Sequence, residues 1–138
     1  MHAKLALLTA GVATAFALAA SAIAAPPSVQ VTIRHQVRGC HAWAVDGGRY
    51  LPTQRLTTNP GAIFTFVDND VMPHHLVQLA GPKVTIHAAN MNRPGASASL
   101  QVFAKGRYVF RTRAGEDYMS GMKTIGADNA LLLVVTVR

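Results

Sequence analysis

The side chains best suited to chemistry in this 138-residue chain are one thiol, several imidazoles and a pair of thioethers. The thiol lies in Gly39-Cys40-His41-Ala42-Trp43, where an imidazole follows it directly. Two adjacent imidazoles, His74 and His75, close the run Asp68-Asn69-Asp70-Val71-Met72-Pro73. His35 stands just ahead of the thiol, and Met119 and Met122 lie in a glycine-containing stretch near the C-terminus. Thiolate, imidazole and thioether are all metal donors, and thiolate with thioether selects soft ions. A single Cys excludes an intrachain disulfide and an all-Cys zinc site. A nucleophilic pair of Cys40 with His41 or His74 is conceivable, yet adjacent Cys and His on so small a β-rich chain would make an unusual hydrolase. There is no Gly-x-Ser-x-Gly, no Gly-rich phosphate loop, no Cys-x-x-Cys and no evident carboxylate pair for glycoside hydrolysis. The chain is read as a protein that is not an enzyme.

Such donors need a rigid frame, and the hydrophobic pattern supplies a β one. Val29, Val31, Ile33, His35 and Val37 share one face of a period-two segment, with Gln30, Thr32, Arg34 and Gln36 on the other. A second strand, Ala62-Ile63-Phe64-Thr65-Phe66-Val67, follows the turn tripeptide Asn59-Pro60-Gly61. His75 to Leu79, Val84 to His87, Ser99 to Phe103 and Arg107 to Thr112 are further strands. Leu131 to Val137 is apolar on both faces and so is expected to be central or covered. About seven short strands with no long amphipathic helix predict an all-β sandwich. Residues 113–129 form a long connection, and such connections in compact domains are usually functional.

The N-terminal segment reads as an address. Lys4 precedes the uncharged apolar run Leu5 to Ala20, and Ala22-Ile23-Ala24 offers small residues to a signal peptidase. The run is shorter than the roughly 20 residues of a spanning helix. Residues 1–24 are therefore a signal peptide and 25–138 the exported domain, periplasmic or secreted, with no transmembrane segment left after cleavage. Half of the residues are hydrophobic and 14% charged, so the chain can bury enough apolar surface to avoid disorder. Thirteen Lys and Arg against six Asp and Glu give a net charge of +7. The basic residues are scattered, which argues against nucleic acid and for an anionic lipid surface or an acidic partner protein.

The stretch Asp68 to Val77, with Asn69 ahead of the Pro73-His74 pair, resembles the first-histidine loop of the cupredoxins, the small blue-copper β-sandwiches. Gly106-Arg107-Tyr108-Val109-Phe110 is similar to the strand that leads into their remaining ligands, and the Gly/Met-containing loop before a hydrophobic final strand completes the likeness. The resemblance spans most of residues 28–138 and implies a Greek-key sandwich holding one mononuclear copper ion, with His74 as a ligand. It departs in one respect: the family carries Cys, His and Met after the Tyr-x-Phe strand. Here Thr112 stands two residues past Phe110, and residues 113–129 hold neither Cys nor His. An ordinary blue-copper centre cannot be assembled from that loop.

The resemblance also places the connection after the first strand at the same end as the His74 loop. The expected ligands are then Cys40 and His74, completed by His41 and by Met119 or Met122, with His35 in reserve. Thiolate, imidazole and thioether together suit copper; zinc on Cys and His is the less favoured ion. The plainer readings stand beside these. A lone Cys is commonly buried core, though an unpaired thiol in an oxidising compartment is a liability unless something occupies it. His41 is alternatively a neighbour of Trp43, and His35 a core histidine. His75 takes the place where the family usually has Asn, whose hydrogen bonds tie ligand loops together. His87 is an ordinary strand or loop residue, Met72 and Met91 are packing residues, and Trp43 and Tyr118 shield the site or pack at the sandwich end. The function implied is electron transfer or copper handling with an acidic redox or copper-trafficking partner. The alternative is a cupredoxin-shaped interaction module that has lost its metal.

Overall fold

The computed structural model describes residues 24–35, 41–114 and 130–138, and these form two packed β-sheets. The first sheet contains β1 (Ser28–His35), β2 (His41–Val45), β4 (Ala62–Asp68) and β7 (Ser97–Val102), in the order β2-β1-β4-β7. The second contains β3 (Thr53–Thr58), β5 (His74–Ala80), β6 (Asn90–Met91), β8 (Gly106–Ala114) and β9 (Ala130–Val137), in the order β3-β9-β8-β5-β6. β1 runs parallel to β4 and β3 parallel to β9, and the other pairs are antiparallel. This is the cupredoxin-like Greek-key sandwich that the resemblance implies. Among the described residues no helix is long and apolar enough to cross a membrane.

Among the described residues nine strands appear where the hydrophobic pattern suggests about seven. The additional ones are β2, whose HAWAV is buried at four successive positions, and β3, whose TQRLTT offers only one apolar side chain. The two-residue β6 is the third. Val84 to His87 alternates as a strand would, yet it makes only an isolated bridge from His87 to Ser99. β9 lies between β3 and β8, as its apolar character on both faces predicts.

The core is built from the inward face of each strand, since successive side chains alternate. Val29, Val31 and Ile33 from β1 meet Phe64 and Phe66 from β4 and Leu100 and Val102 from β7. Opposite them lie Leu76 from β5, Tyr108 and Phe110 from β8 and Leu131, Leu133, Val135 and Val137 from β9. Phe66 sits at the centre, with ring centroids of Trp43, Phe64 and Phe110 at 6.1, 6.4 and 6.4 Å. Trp43 is fully buried and belongs to this core rather than to a surface shield.

Candidate metal site

At one pole of the sandwich the inward rows of side chains change from apolar to polar. In the β1/β2 ladder the registers Val31–Val45 and Ile33–Trp43 are followed by His35–His41. Alternation puts this third pair on the same face as the two before it. In β4 the buried row Ala62, Phe64, Phe66 ends in Asp68. In β5 it begins with His74, and β8 brings buried Thr112 to the position opposite Leu76. Strand geometry alone therefore delivers imidazoles and a carboxylate to one end.

The connection between β4 and β5 joins these groups across the two sheets. Asp68 Oδ1 accepts the amide N–H of Asp70 at 2.8 Å, and Asp70 Oδ1 accepts that of Met72 at 3.1 Å. These consecutive Asx turns exploit the reach of Asp to the amide two residues on. They turn the Asp70 side chain inward, where it is completely buried. Its Oδ2 lies 2.5 Å from His41 Nδ1 in the first sheet and 3.2 Å from His74 Nε2 in the second. His74 Nδ1 is 3.4 Å from Thr112 Oγ1. The rings of His41 and His74 are 5.0 Å apart edge to face, and those of His35 and His41 5.8 Å.

Burial and charge divide the two aspartates. Desolvation raises the pKa of Asp70, but the Met72 amide and the His41 and His74 contacts outweigh it and hold the group below its ordinary value. Asp68 has the Asp70 amide but no imidazole contact among the described residues. Burial pushes it up to about 7, opposed by the Asp70 amide and reinforced by the Asp70 charge. Its Oδ2 has no hydrogen-bond partner among the described residues, and neither does Nε2 of His41, a residue only 2% exposed. Buried polar atoms are nearly always paired, so each exception asks for a reason.

One donor atom each from His35, His41 and Asp70 lie within 4.8 Å of one another. Ligands on one ion bonded at about 2.0–2.2 Å lie up to roughly 4 Å apart. A small movement of His35, exposed at the end of β1, would close the set around an ion. The unpartnered His41 Nε2 and the imidazole–carboxylate chemistry fit a borderline transition ion such as Cu(II) or Zn(II).

Of the residues singled out from the sequence, His35, His41 and His74 meet at this pole. Cys40, Met119 and Met122 lie outside the described residues, as do Tyr118 and the N-terminal segment up to residue 23. His75 points to the other face of β5, where its Nδ1 hydrogen-bonds Asn90 Oδ1 and ties β5 to β6. Met91 pairs with His74 in the ladder and is core. Asp70 was missed by the sequence reading, although it stands four residues before His74 on the resembling loop. In a sequence, Asp-Asn-Asp before Pro reads as turn punctuation, and only the fold shows that the carboxylate turns inward.

Fold and site together define the class: a cupredoxin-like all-β sandwich with an imidazole–carboxylate cluster at one pole. No family model and no curated protein matches the chain. Among solved structures it is similar to one described as a novel purple cupredoxin from Nitrosopumilus maritimus, at 14% identity and a TM-score of 0.42. That alignment covers 79% of this chain and 98% of the other.

Proposed function

We propose that this protein is an exported, copper-binding cupredoxin-like protein that serves copper handling or one-electron transfer. The observation that carries the reading is the buried His41 Nε2, a donor atom without a partner among the described residues, beside His35, His74 and Asp70 at one pole of the sandwich. His41 and His74 come from different sheets and are held by one carboxylate, so the donors are oriented before an ion arrives. A frame of that kind limits rearrangement when the ion changes oxidation state. Cys40, next to His41 in the chain, and Met119 or Met122 are the donors proposed to complete the set and to raise its preference for copper. The protein acts here as a carrier or redox partner and not as an enzyme. Its net charge of +7 favours an acidic partner protein.

Thr112, at the place where the blue-copper family has its Cys, favours the second reading, an interaction module without metal. Titration of the processed chain with Cu(II), and anaerobically with Cu(I), separates the two when repeated on Cys40→Ser and His41→Ala. One equivalent bound by the parent and weakened in the variants supports the copper site. Equally weak binding by all three proteins overturns it. Zinc occupancy would give a colourless protein without a copper charge-transfer band, and an irreversible copper couple would favour handling over electron transfer.

A further inference from the structure

We infer that the groove beside β7, at the pole opposite the candidate metal site, docks an extended acidic segment of a partner protein, which adds to β7 as a further strand. The inference rests on the acidic-partner reading above and does not depend on copper. β7 is an edge of its sheet, and among the described residues its outer side is met by one isolated bridge, from Ser99 to His87. These two residues exchange backbone hydrogen bonds of 2.8 and 3.0 Å. Continued in the same antiparallel register, the bridge would set Thr85 opposite Gln101 and Lys83 opposite Phe103. The ladder stops instead. A cavity of about 380 Å³ opens there, lined chiefly by Lys83, Val84, Thr85, Gln101, Phe103 and Tyr108.

Both walls are held by contacts that face away from this gap. The Gln78 side chain binds the Pro82 carbonyl at 2.8 Å and the Val84 N–H at 3.1 Å. Peptide groups alternate in direction along an extended segment, so Thr85 turns its own toward β7, as His87 does. On the other wall Ile63, opposite Gln101 in the ladder, gives its N–H to Pro27. Gln101, in phase with Ser99, therefore turns its peptide groups outward. Among the described residues nothing takes up the backbone groups that Thr85 and Gln101 present here. Open strand edges pair readily with another chain. Main-chain bonds then give affinity, and side-chain pockets give selectivity.

The side chains around the gap define the occupant. Phe103 is 65% exposed and offers an apolar contact. Lys83 lines the cavity, and exposed Lys105 and Arg107 adjoin its lining residues Ala104 and Tyr108. No Asp or Glu occurs from Val71 to Gly115. Asp68 and Asp70 are buried at the metal pole, and Asp46 follows β2, the far edge of the same sheet. Glu116, Asp117 and Asp128 fall outside the described residues. Cations without a neighbouring carboxylate complement a segment that alternates acidic and apolar residues. A bilayer would meet Phe103 and the cations but would leave the backbone groups in the gap unused.

The probe is a capped, dye-labelled octapeptide of alternating Glu and Val, added to the processed, metal-free chain and followed by fluorescence anisotropy. A Lys-for-Glu peptide and a fully N-methylated one, which cannot donate from its backbone, should each bind at least about tenfold more weakly. Lys83→Glu with Lys105→Glu should weaken the acidic peptide at least about tenfold, and Arg93→Glu, outside the groove, less than about twofold. Hydrogen exchange of the Gln101 amide should slow in the complex. Equal binding of all three peptides, indifference to the reversed charges or unchanged Gln101 exchange overturns the inference and leaves an acidic partner docking elsewhere. A parent that binds no acidic peptide overturns both readings. Binding only to phosphatidylglycerol vesicles, or dimerisation that protects Gln101, assigns the groove to lipid or to a second copy and overturns the inference as well. Copper titration of the double variant should match the parent, so failure here leaves the metal reading untouched.

Discussion

The two poles of the sandwich satisfy their polar groups in opposite ways. At the pole formed by the β5–β7 connection and the start of β8, side chains pair with backbone. The Gln78 amide donates to the carbonyls of Ala80 at 3.2 Å and Pro82 at 2.8 Å, and its oxygen accepts the Val84 N–H at 3.1 Å. Tyr108 Oη donates to the Ala104 carbonyl at 2.6 Å. Gly81, at φ +104°, lets the chain pass so close to β8 that a Cβ would lie 2.6 Å from the Arg107 carbonyl. At the other pole the polar side chains pair chiefly with one another, and buried atoms of His41 and Asp68 have no partner among the described residues. One end consolidates the frame. The other leaves ligand-capable atoms unspent among the described residues, as the proposed metal site requires.

The sharpest way to break this comparison is to damage the frame and look for an effect at the site. Phe64→Ala removes a fully buried ring stacked on Phe66, four residues before Asp68 on β4, and a buried Phe→Ala change costs about 3–5 kcal/mol. Chemical denaturation should show that loss, while copper affinity of the folded fraction changes by less than about twofold, since distant sites act independently. The reverse experiment is His41→Ala. Removing a group that merely orients a ligand costs up to about 100-fold, so losing the ligand itself should cost at least that, or about 2.7 kcal/mol. Its stability should also fall, because the substitution leaves a cavity and takes one imidazole contact from the buried Asp70 carboxylate, so the affinity is read on the folded fraction. A His41→Ala protein that is badly destabilised yet binds copper normally would reverse the assignment of the two regions.

Acidity gives a third discriminator. Asp68 moves from an ordinary 3.8 to about 7 on folding, so the folded state holds its proton more tightly than the unfolded chain. The stability this group contributes is present below pH 4 and is lost as pH rises through 7. Asn resembles the protonated carboxyl and does not titrate. Between pH 5 and pH 7 the metal-free parent should therefore lose about 2 kcal/mol relative to Asp68→Asn. Urea midpoints at the two pH values measure it, and parallel profiles would remove the assignment.

These contrasts also show which parts of the molecule the sequence makes legible. Alternation identifies β1, β4, β7 and β8 because each has one face in the core and one outside, and period two survives in the residue types. β2 hides its strand character because four successive residues are buried, and β3 because an edge strand with a single Leu has little apolar signal. Val84 to His87 shows the converse: it has the right period but meets only an edge, through one bridge, so no ladder forms. His74 is visible through the loop it shares with the cupredoxins, and His35 with His41 through strand phase and the first connection. Asp70 is not, because its role depends on two imidazoles that reach it from separate sheets.

The smallest effect tests whether the poles are independent along one strand. The buried inward row of β8 runs Tyr108, Phe110, Thr112, from the Ala104 carbonyl at one end to His74 at the other. Tyr108→Phe keeps the ring against Phe110, at 6.3 Å and nearly parallel, and deletes only the hydroxyl. The partner carbonyl belongs to an exposed residue and can turn to water, so the cost should be that of one ordinary hydrogen bond, about 1 kcal/mol. Copper affinity should not change, because a rigid strand passes on no displacement when its packing is preserved. A measurable loss of affinity in Tyr108→Phe would mean that the far pole sets the position of Thr112 and, through it, of His74. The two ends would then be one mechanical unit, and the division of labour between them would be false.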